Sequence, residues 1–150
     1  MIFNRAQLIS DLIVDEGERP TLYDDANGKA IWPGTHVVGN PTTAIGHALN
    51  RTPWTDSQMR TICGWDVDDK TPALYARFPW ASGLSEPRQR ALANMAFNEG
   101  VAGLAGFTTF LSLLQSGNFD DAADDLEGTE WARQVGENRK NRIVSLIRTG

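Results

Sequence analysis

A single cysteine, Cys63, excludes an internal disulfide. Two histidines beside it make a poor stock of metal ligands, and neither HExxH nor CxxC occurs. No metal and no other cofactor is therefore expected. No apolar run approaches the roughly 18 residues that a membrane-spanning helix needs. The opening Met1-Ile2-Phe3-Asn4-Arg5-Ala6-Gln7 has no charged start followed by a long apolar stretch, so it does not read as a secretory signal. Asn50-Arg51-Thr52 has the form of a glycosylation acceptor, but the match carries little meaning without export. The net charge of −5 argues against nucleic acid as the main partner.

What remains is an ordinary globular composition, with 41% hydrophobic and 22% charged residues in a chain of one-domain length. The charge is uneven. From Arg133 onward, Arg133, Arg139, Lys140, Arg142 and Arg148 face Glu137 alone. This is either a solvated helix face or a contact for an anionic polymer or membrane surface. Cys63 lies among apolar residues at helical spacing, which predicts a buried, inert thiol.

Asn4 with Gln7 three residues on suggests a helix start, and Leu8, Ile9, Leu12 and Ile13 repeat at helical spacing up to Gly17. Glu16 then falls in the last turn. From Thr21 to Gly46 the pattern changes to short β-prone pieces, at 21–23, 30–32, 35–38 and 42–45. Asn27-Gly28, Pro33-Gly34 and Gly39-Asn40-Pro41 separate them as turns. Thr55-Asp56-Ser57-Gln58 forms a second capping box, opening a helix that Pro72 is expected to kink or restart. Ser85 caps a helix through Ala91, Leu92, Met95 and Phe97, and Gly100, Gly103 and Gly106 punctuate a bend. Short helices follow at 108–115, 119–126, 130–134 and 138–147. Trp54, Trp65, Trp80 and Trp131 read as core or lobe-interface residues. The class is α+β and mainly helical, with a small N-terminal antiparallel sheet and a helical C-terminal lobe. A cleft between the two lobes is the expected site.

Two carboxylates nine positions apart, Glu16 and Asp25, flank this change of pattern, and Thr42 stands before Ile45-Gly46-His47. Cleaving a glycosidic bond needs one carboxyl that stays protonated to donate to the leaving oxygen and another that stays ionised. At a helix end, unpaired carbonyls disfavour negative charge on Glu16, and packing beneath an apolar face would add desolvation. Asp24 and Asp25 precede a turn, where aspartates commonly cap their own backbone. Either one of them can instead stay ionised and hold a water, with Thr42 supplying a second hydrogen bond.

Asp15-Glu16-Gly17, Tyr23-Asp24-Asp25 and Thr42-x-x-Ile45-Gly46-His47, in this order, resemble the phage-type lysozymes, endolysins of glycoside hydrolase family twenty-four. Ala91–Gly100, Val101–Thr108, Leu113-Leu114-Gln115, Trp131 and Arg148-Thr149-Gly150 extend the resemblance over nearly the whole chain. It implies a single two-lobed lysozyme-like domain over 1–150. A sheet lobe would cover about 17–54, a connecting helix about 56–76 and a helical lobe about 77–150, packed with helix 4–16. It also implies a monomeric muramidase that cuts the β-1,4 bond between N-acetylmuramic acid and N-acetylglucosamine in peptidoglycan, with inversion. Glu16 would be the general acid, with Asp25 and Thr42 positioning the attacking water. His47, Phe97, Asn98, Phe110, Asp125 and Arg139 fall at substrate-binding positions, Phe110 and Asp125 differing in residue type from the family.

Such an endolysin would accumulate in the host cytoplasm and reach the periplasmic wall with a membrane-permeabilising partner. The rivals are a lytic transglycosylase and a non-catalytic wall-binding or membrane-active protein. Several positions depart from the family. The stretch from Asp25 to Thr42 is longer than the usual short hairpin, Ala44 replaces a preferred glycine, and Glu130 precedes Trp131 where arginine is common. His47 reads as a structural hydrogen-bonding group, with Asp66 as its candidate partner, more readily than as a catalytic base. The resemblance also implies that Arg139 matches an arginine able to face the acid across the cleft.

Overall fold

The computed structural model describes residues 4–50 and 53–150. Met1–Phe3, part of the N-terminal reading, and Arg51-Thr52, part of the glycosylation match, lie outside them. The described residues form seven α-helices and a three-stranded antiparallel sheet, the α+β and mainly helical class expected. The chain divides into two compact units, Met1–Gln58 and Met59–Gly150.

The first unit opens with α1, Arg5–Glu16. Asn4 Oδ1 accepts from the backbone N–H groups of Ala6 and Gln7 at 3.0 and 3.1 Å, satisfying two donors that the helix leaves unpaired. Gly17 ends the helix at φ +74° while its N–H donates to Ile13 O. Glu16 is thereby the last helical residue. Strands β1 (Arg19–Asp24), β2 (Pro41–Ala44) and β3 (His47–Ala48) follow, in the spatial order β1-β2-β3.

The β1–β2 register pairs Tyr23 with Thr42 and Asp24 with Pro41. Pro41 has no N–H to give to a ladder and occupies the first position of its strand, where that loss is tolerated. The pieces expected at 30–32 and 35–38 do not become strands. A single bridge joins Ala30 to Tyr23. Over 35–38 the backbone is drawn elsewhere: Thr35 closes a turn on Trp32, and the Val38 amide binds a carboxylate instead of a neighbouring strand.

Helix α2, Asp56–Arg77, begins with the Thr55–Gln58 capping box. The Gln58 N–H donates to Thr55 Oγ1 at 3.3 Å and the Thr55 N–H to Gln58 Oε1 at 2.9 Å. The helix continues through Pro72 without the expected restart. Proline removes one helical hydrogen bond, to the carbonyl of Asp68. Asp68 is exposed, so water can satisfy that group.

The second unit holds the main core. A short 3-10 turn, Pro79–Gly83, leads into α3 (Glu86–Leu104), α4 (Thr108–Gln115), α5 (Phe119–Glu127), α6 (Glu130–Gln134) and α7 (Glu137–Thr149). Helix α3 bends at Gly100, whose φ of +71° is left-handed, as the glycine run suggested. Leu74, Leu92, Met95, Leu104, Phe110, Leu114, Leu126, Ile143 and Ile147 form a continuous buried cluster with Trp131. Helix α5 turns Ala122, Ala123 and Leu126 inward. Its acidic side meets the C-terminal positive charge, since Arg148 pairs with Asp120, Asp124 and Glu127.

Cys63 and Trp65 depart from expectation. Both are exposed, Trp65 at 66%. The apolar spacing on α2 is real, yet its only buried residue is Leu74, and Met59, Ile62 and Val67 are exposed as well. No helix among the described residues is long and apolar enough to cross a membrane.

Candidate active site

Glu16 is presented by the end of α1, and its carboxyl lies against the turn joining β2 to β3. A Cβ built on Gly46 would come 3.1 Å from Glu16 Oε2 and 3.4 Å from its Cδ. Gly46 itself has φ +65°, a left-handed conformation that glycine adopts without steric cost. The acid-bearing helix end and the β2–β3 turn thus meet closely enough that a side chain at Gly46 would press on the Glu16 carboxyl. Glu16 is exposed, so the desolvation expected from an apolar face of α1 is absent: Leu12, one turn back, is itself 39% exposed.

The two adjacent aspartates have opposite environments. Asp24 is 1% exposed, and its carboxylate accepts four hydrogen bonds. The donors are the Ala26 N–H (3.0 Å), the Asn27 amide (3.0 Å), the Val38 N–H (2.7 Å) and the Gly39 N–H (2.9 Å). The Val38 bond leads in holding this carboxyl below the ordinary carboxylate range; burial opposes it, and the other three donors add to it. Asp24 is therefore the internal tie of the 26–39 loop. Asp25 faces outward and is exposed. Its Oδ1 accepts from the Asn40 N–H at 2.6 Å and its Oδ2 from the Asn40 side-chain amide at 2.7 Å.

Thr42, 3% exposed in β2, completes the group by donating its hydroxyl to the Asn40 carbonyl at 3.1 Å. That same carbonyl accepts the Asp25 N–H. The structure therefore joins Asp25 and Thr42 through Asn40, a residue that the Gly39-Asn40-Pro41 pattern marks only as part of a turn. The strand register contained the missing signal. Continuing the pairs Tyr23–Thr42 and Asp24–Pro41 by one step sets Asp25 opposite Asn40. The Asn40 amide is oriented in turn by Asn50, whose Nδ2 donates to Asn40 Oδ1 at 3.2 Å.

His47 lies in β3 with its ring 5.0 Å from that of Trp54. Ala44, which stands where the family prefers glycine, has φ +54° and is the one non-glycine residue with positive φ among the described residues.

The other expected binding residues belong to the second unit and are scattered within it. Phe97 is 40% exposed, carries Lys70 Nζ 4.1 Å above its ring and lines an apolar hollow of about 310 Å³ with Cys63, Val67 and Leu74. Asn98 is exposed and donates to Glu99. Asp125 lines a different hollow of about 400 Å³ with Phe107, Thr129 and Trp131. Arg139 is held by Asn94, through Nε at 3.1 Å and Nη2 at 2.8 Å to Oδ1. Phe110 departs from its expected substrate-facing place: it is 0% exposed at the centre of the core, where its ring serves packing.

The Phage lysozyme family profile matches residues 15–148, a span that includes Glu16, Asp25 and Thr42. The chain belongs to the phage lysozyme family. The family fits a lysozyme-like peptidoglycan hydrolase as a class. Among its relatives, Probable T4-type lysozyme 2 of Dictyostelium discoideum is 33% identical, over 91% of this chain and 90% of that protein. Probable T4-type lysozyme 1 of the same organism is 26% identical over 95% and 94%. Pre-baseplate central spike protein Gp5 of Enterobacteria phage T4 is 26% identical over 91% of this chain, which spans 26% of that longer protein.

Proposed function

We propose that this member of the phage lysozyme family is a muramidase. It hydrolyses the β-1,4 bond between N-acetylmuramic acid and N-acetylglucosamine in bacterial peptidoglycan, with inversion at the anomeric carbon. One observation carries the reading. Glu16 lies at the turn that ends β2, while the Asp25–Asn40–Thr42 group is assembled where β2 begins. The two groups thus flank one short strand, and the inverting route proposed for them requires carboxyls roughly 6.5–9.5 Å apart, with room for a water.

In this scheme Glu16 donates a proton to the leaving glycosidic oxygen. Asp25 remains ionised and accepts a proton from the attacking water, which Thr42 helps to hold. Asp24 takes no direct part, because its four acceptor bonds all hold the protein's own loop. His47, Phe97, Asn98, Asp125 and Arg139 are retained as proposed glycan contacts. The biological role is that of an endolysin: host lysis from the cytoplasmic side once the inner membrane is opened, acting on the periplasmic wall.

The test is a turbidity assay on bacteria stripped of their outer membrane, with reducing-end analysis of the soluble products. The native chain should clear the suspension and release muramic-acid reducing ends. Glu16→Gln should lose at least about a hundredfold in turnover, and Asp25→Ala should be similarly impaired. Anhydromuramyl ends would instead identify a transglycosylase, and lysis that survives Glu16→Gln would identify a membrane-active protein.

A further inference from the structure

We infer that Asn40 is the positioning residue of this site, fixing how Asp25 and Thr42 present themselves to the attacking water. The inference rests on the roles proposed above for that pair. Asn40 bonds to both. Its backbone N–H and its side-chain amide grip the two oxygens of the Asp25 carboxylate separately, at 2.6 and 2.7 Å. Two grips on two oxygens set the rotation of the carboxylate plane as well as its place, which a single bond would not do. Asn50 holds the far side of the same amide, so Asn40 cannot turn its oxygen toward Asp25 without breaking that bond.

The bond to Thr42 sets a direction. A carbonyl oxygen only accepts, so the Thr42 hydroxyl proton is committed to Asn40 O. Toward a water, Thr42 Oγ1 then acts as an acceptor. Asp25 as a carboxylate is also an acceptor. A water bound between them donates one hydrogen to each, which turns its lone pairs away from both and toward the anomeric carbon. Were the hydroxyl free to rotate, Thr42 could donate to that water and occupy the lone pair that must attack. Asn40 thus removes the unproductive orientation. The longer 26–39 loop is the structural means. The Asp24 carboxylate binds the Val38 and Gly39 amides and so delivers Asn40 opposite Asp25.

The experiment compares Asn40→Ala, Asn40→Asp and Asp25→Ala with the parent protein on soluble peptidoglycan fragments, as kcat and KM across pH, with folding checked by circular dichroism. Asn40→Ala should lower kcat about tenfold or more while KM stays near the parent value. The acid limb of the kcat profile should move to higher pH, because the Asp25 carboxylate loses a donor that favours its charged form. Asn40→Asp keeps the shape but faces Asp25 with a second carboxylate, and should move that limb further. It also decides the matter if Asn40→Ala fails to fold. A folded Asn40→Asp protein with the parent's kcat and acid limb would overturn the inference. So would a loss of activity that only follows thermal stability, with the limb unmoved. If Asp25→Ala is inactive while both Asn40 variants titrate like the parent, only the positioning role falls. If Asp25→Ala turns over normally, the assignment of Asp25 falls and this inference falls with it.

Discussion

Gly46 lies tight against the Glu16 carboxyl: a Cβ there would stand 3.1 Å from Oε2, closer than ordinary contact. The same glycine has φ +65°. Gly46→Ala therefore meets two penalties. The left-handed backbone costs about 1 kcal/mol for an L-residue, and the added methyl pushes the proposed acid aside by a few tenths of an ångström. The expected result is a lower denaturation midpoint together with a several-fold loss of kcat, since misplacement on the order of 1 Å can cost about a hundredfold. Urea denaturation and steady-state assays on one preparation check both. Full activity in a destabilised variant would show that the contact has no part in turnover.

Two positions earlier the sign reverses. Ala44 holds φ +54° with a Cβ that disfavours this conformation. Ala44→Gly relieves that cost, offset in part by the greater freedom of glycine in the unfolded chain. A net gain of about 0.5–1 kcal/mol follows from those two magnitudes. Equilibrium denaturation at neutral pH measures it directly, and a loss of stability would mean that the turn carries no strain at Ala44.

How far such features can be read from sequence depends on how local their causes are. Helix α1 was legible at both ends, because Asn4 and Gly17 cap it through neighbours within four residues. The Thr55–Gln58 box and helices α4 to α7 were legible for the same reason. The Asp25–Asn40 bond joins residues 15 apart, and only the β1–β2 register makes them neighbours. The different fates of Asp24 and Asp25 were hidden likewise, since the decisive donors, Val38 and Gly39, arrive from the far end of a loop. Phe110 failed differently: its place in the chain suggested a ligand contact, while its apolar ring on α4 is drawn into the core with Leu111 and Leu114.

In the second unit, Arg88 is expected to stabilise the end of the chain. Its Nε donates to Ile147 O at 2.8 Å and its Nη2 to Arg148 O at 3.2 Å, carbonyls that the last turn of α7 leaves without helical partners. Its guanidinium also lies 3.5 Å from the centre of the Phe119 ring. Arg88→Ala should cost about 2 kcal/mol by the loss of these bonds and the cation–π contact. Arg88→Lys should recover only part, because an ammonium cannot reproduce the planar fork. Thermal unfolding of the three proteins gives the order Arg, Lys, Ala; equal stability of Arg and Lys would refute the role of the fork.

Asp24 makes stability depend on acid. Its folded carboxyl is held below the ordinary value of about 3.9, chiefly by the Val38 N–H, against a burial effect of opposite sign. A depressed carboxylate contributes stability that is fully present above the unfolded value and is lost as pH falls through the folded one. The parent protein should therefore weaken as pH drops from about 4 downward. Asp24→Asn replaces the charge with an amide that can no longer accept at both ends. It should be less stable at neutral pH and show a flatter decline in that acid window, so that the two curves converge. Because the 26–39 loop carries Asn40 to Asp25, the same variant should also lose activity at neutral pH in the folded state. Melting temperatures from pH 2 to 7, read beside turnover at pH 7, test both parts. Parallel curves with a constant offset would show that the Asp24 charge contributes nothing to the pH dependence.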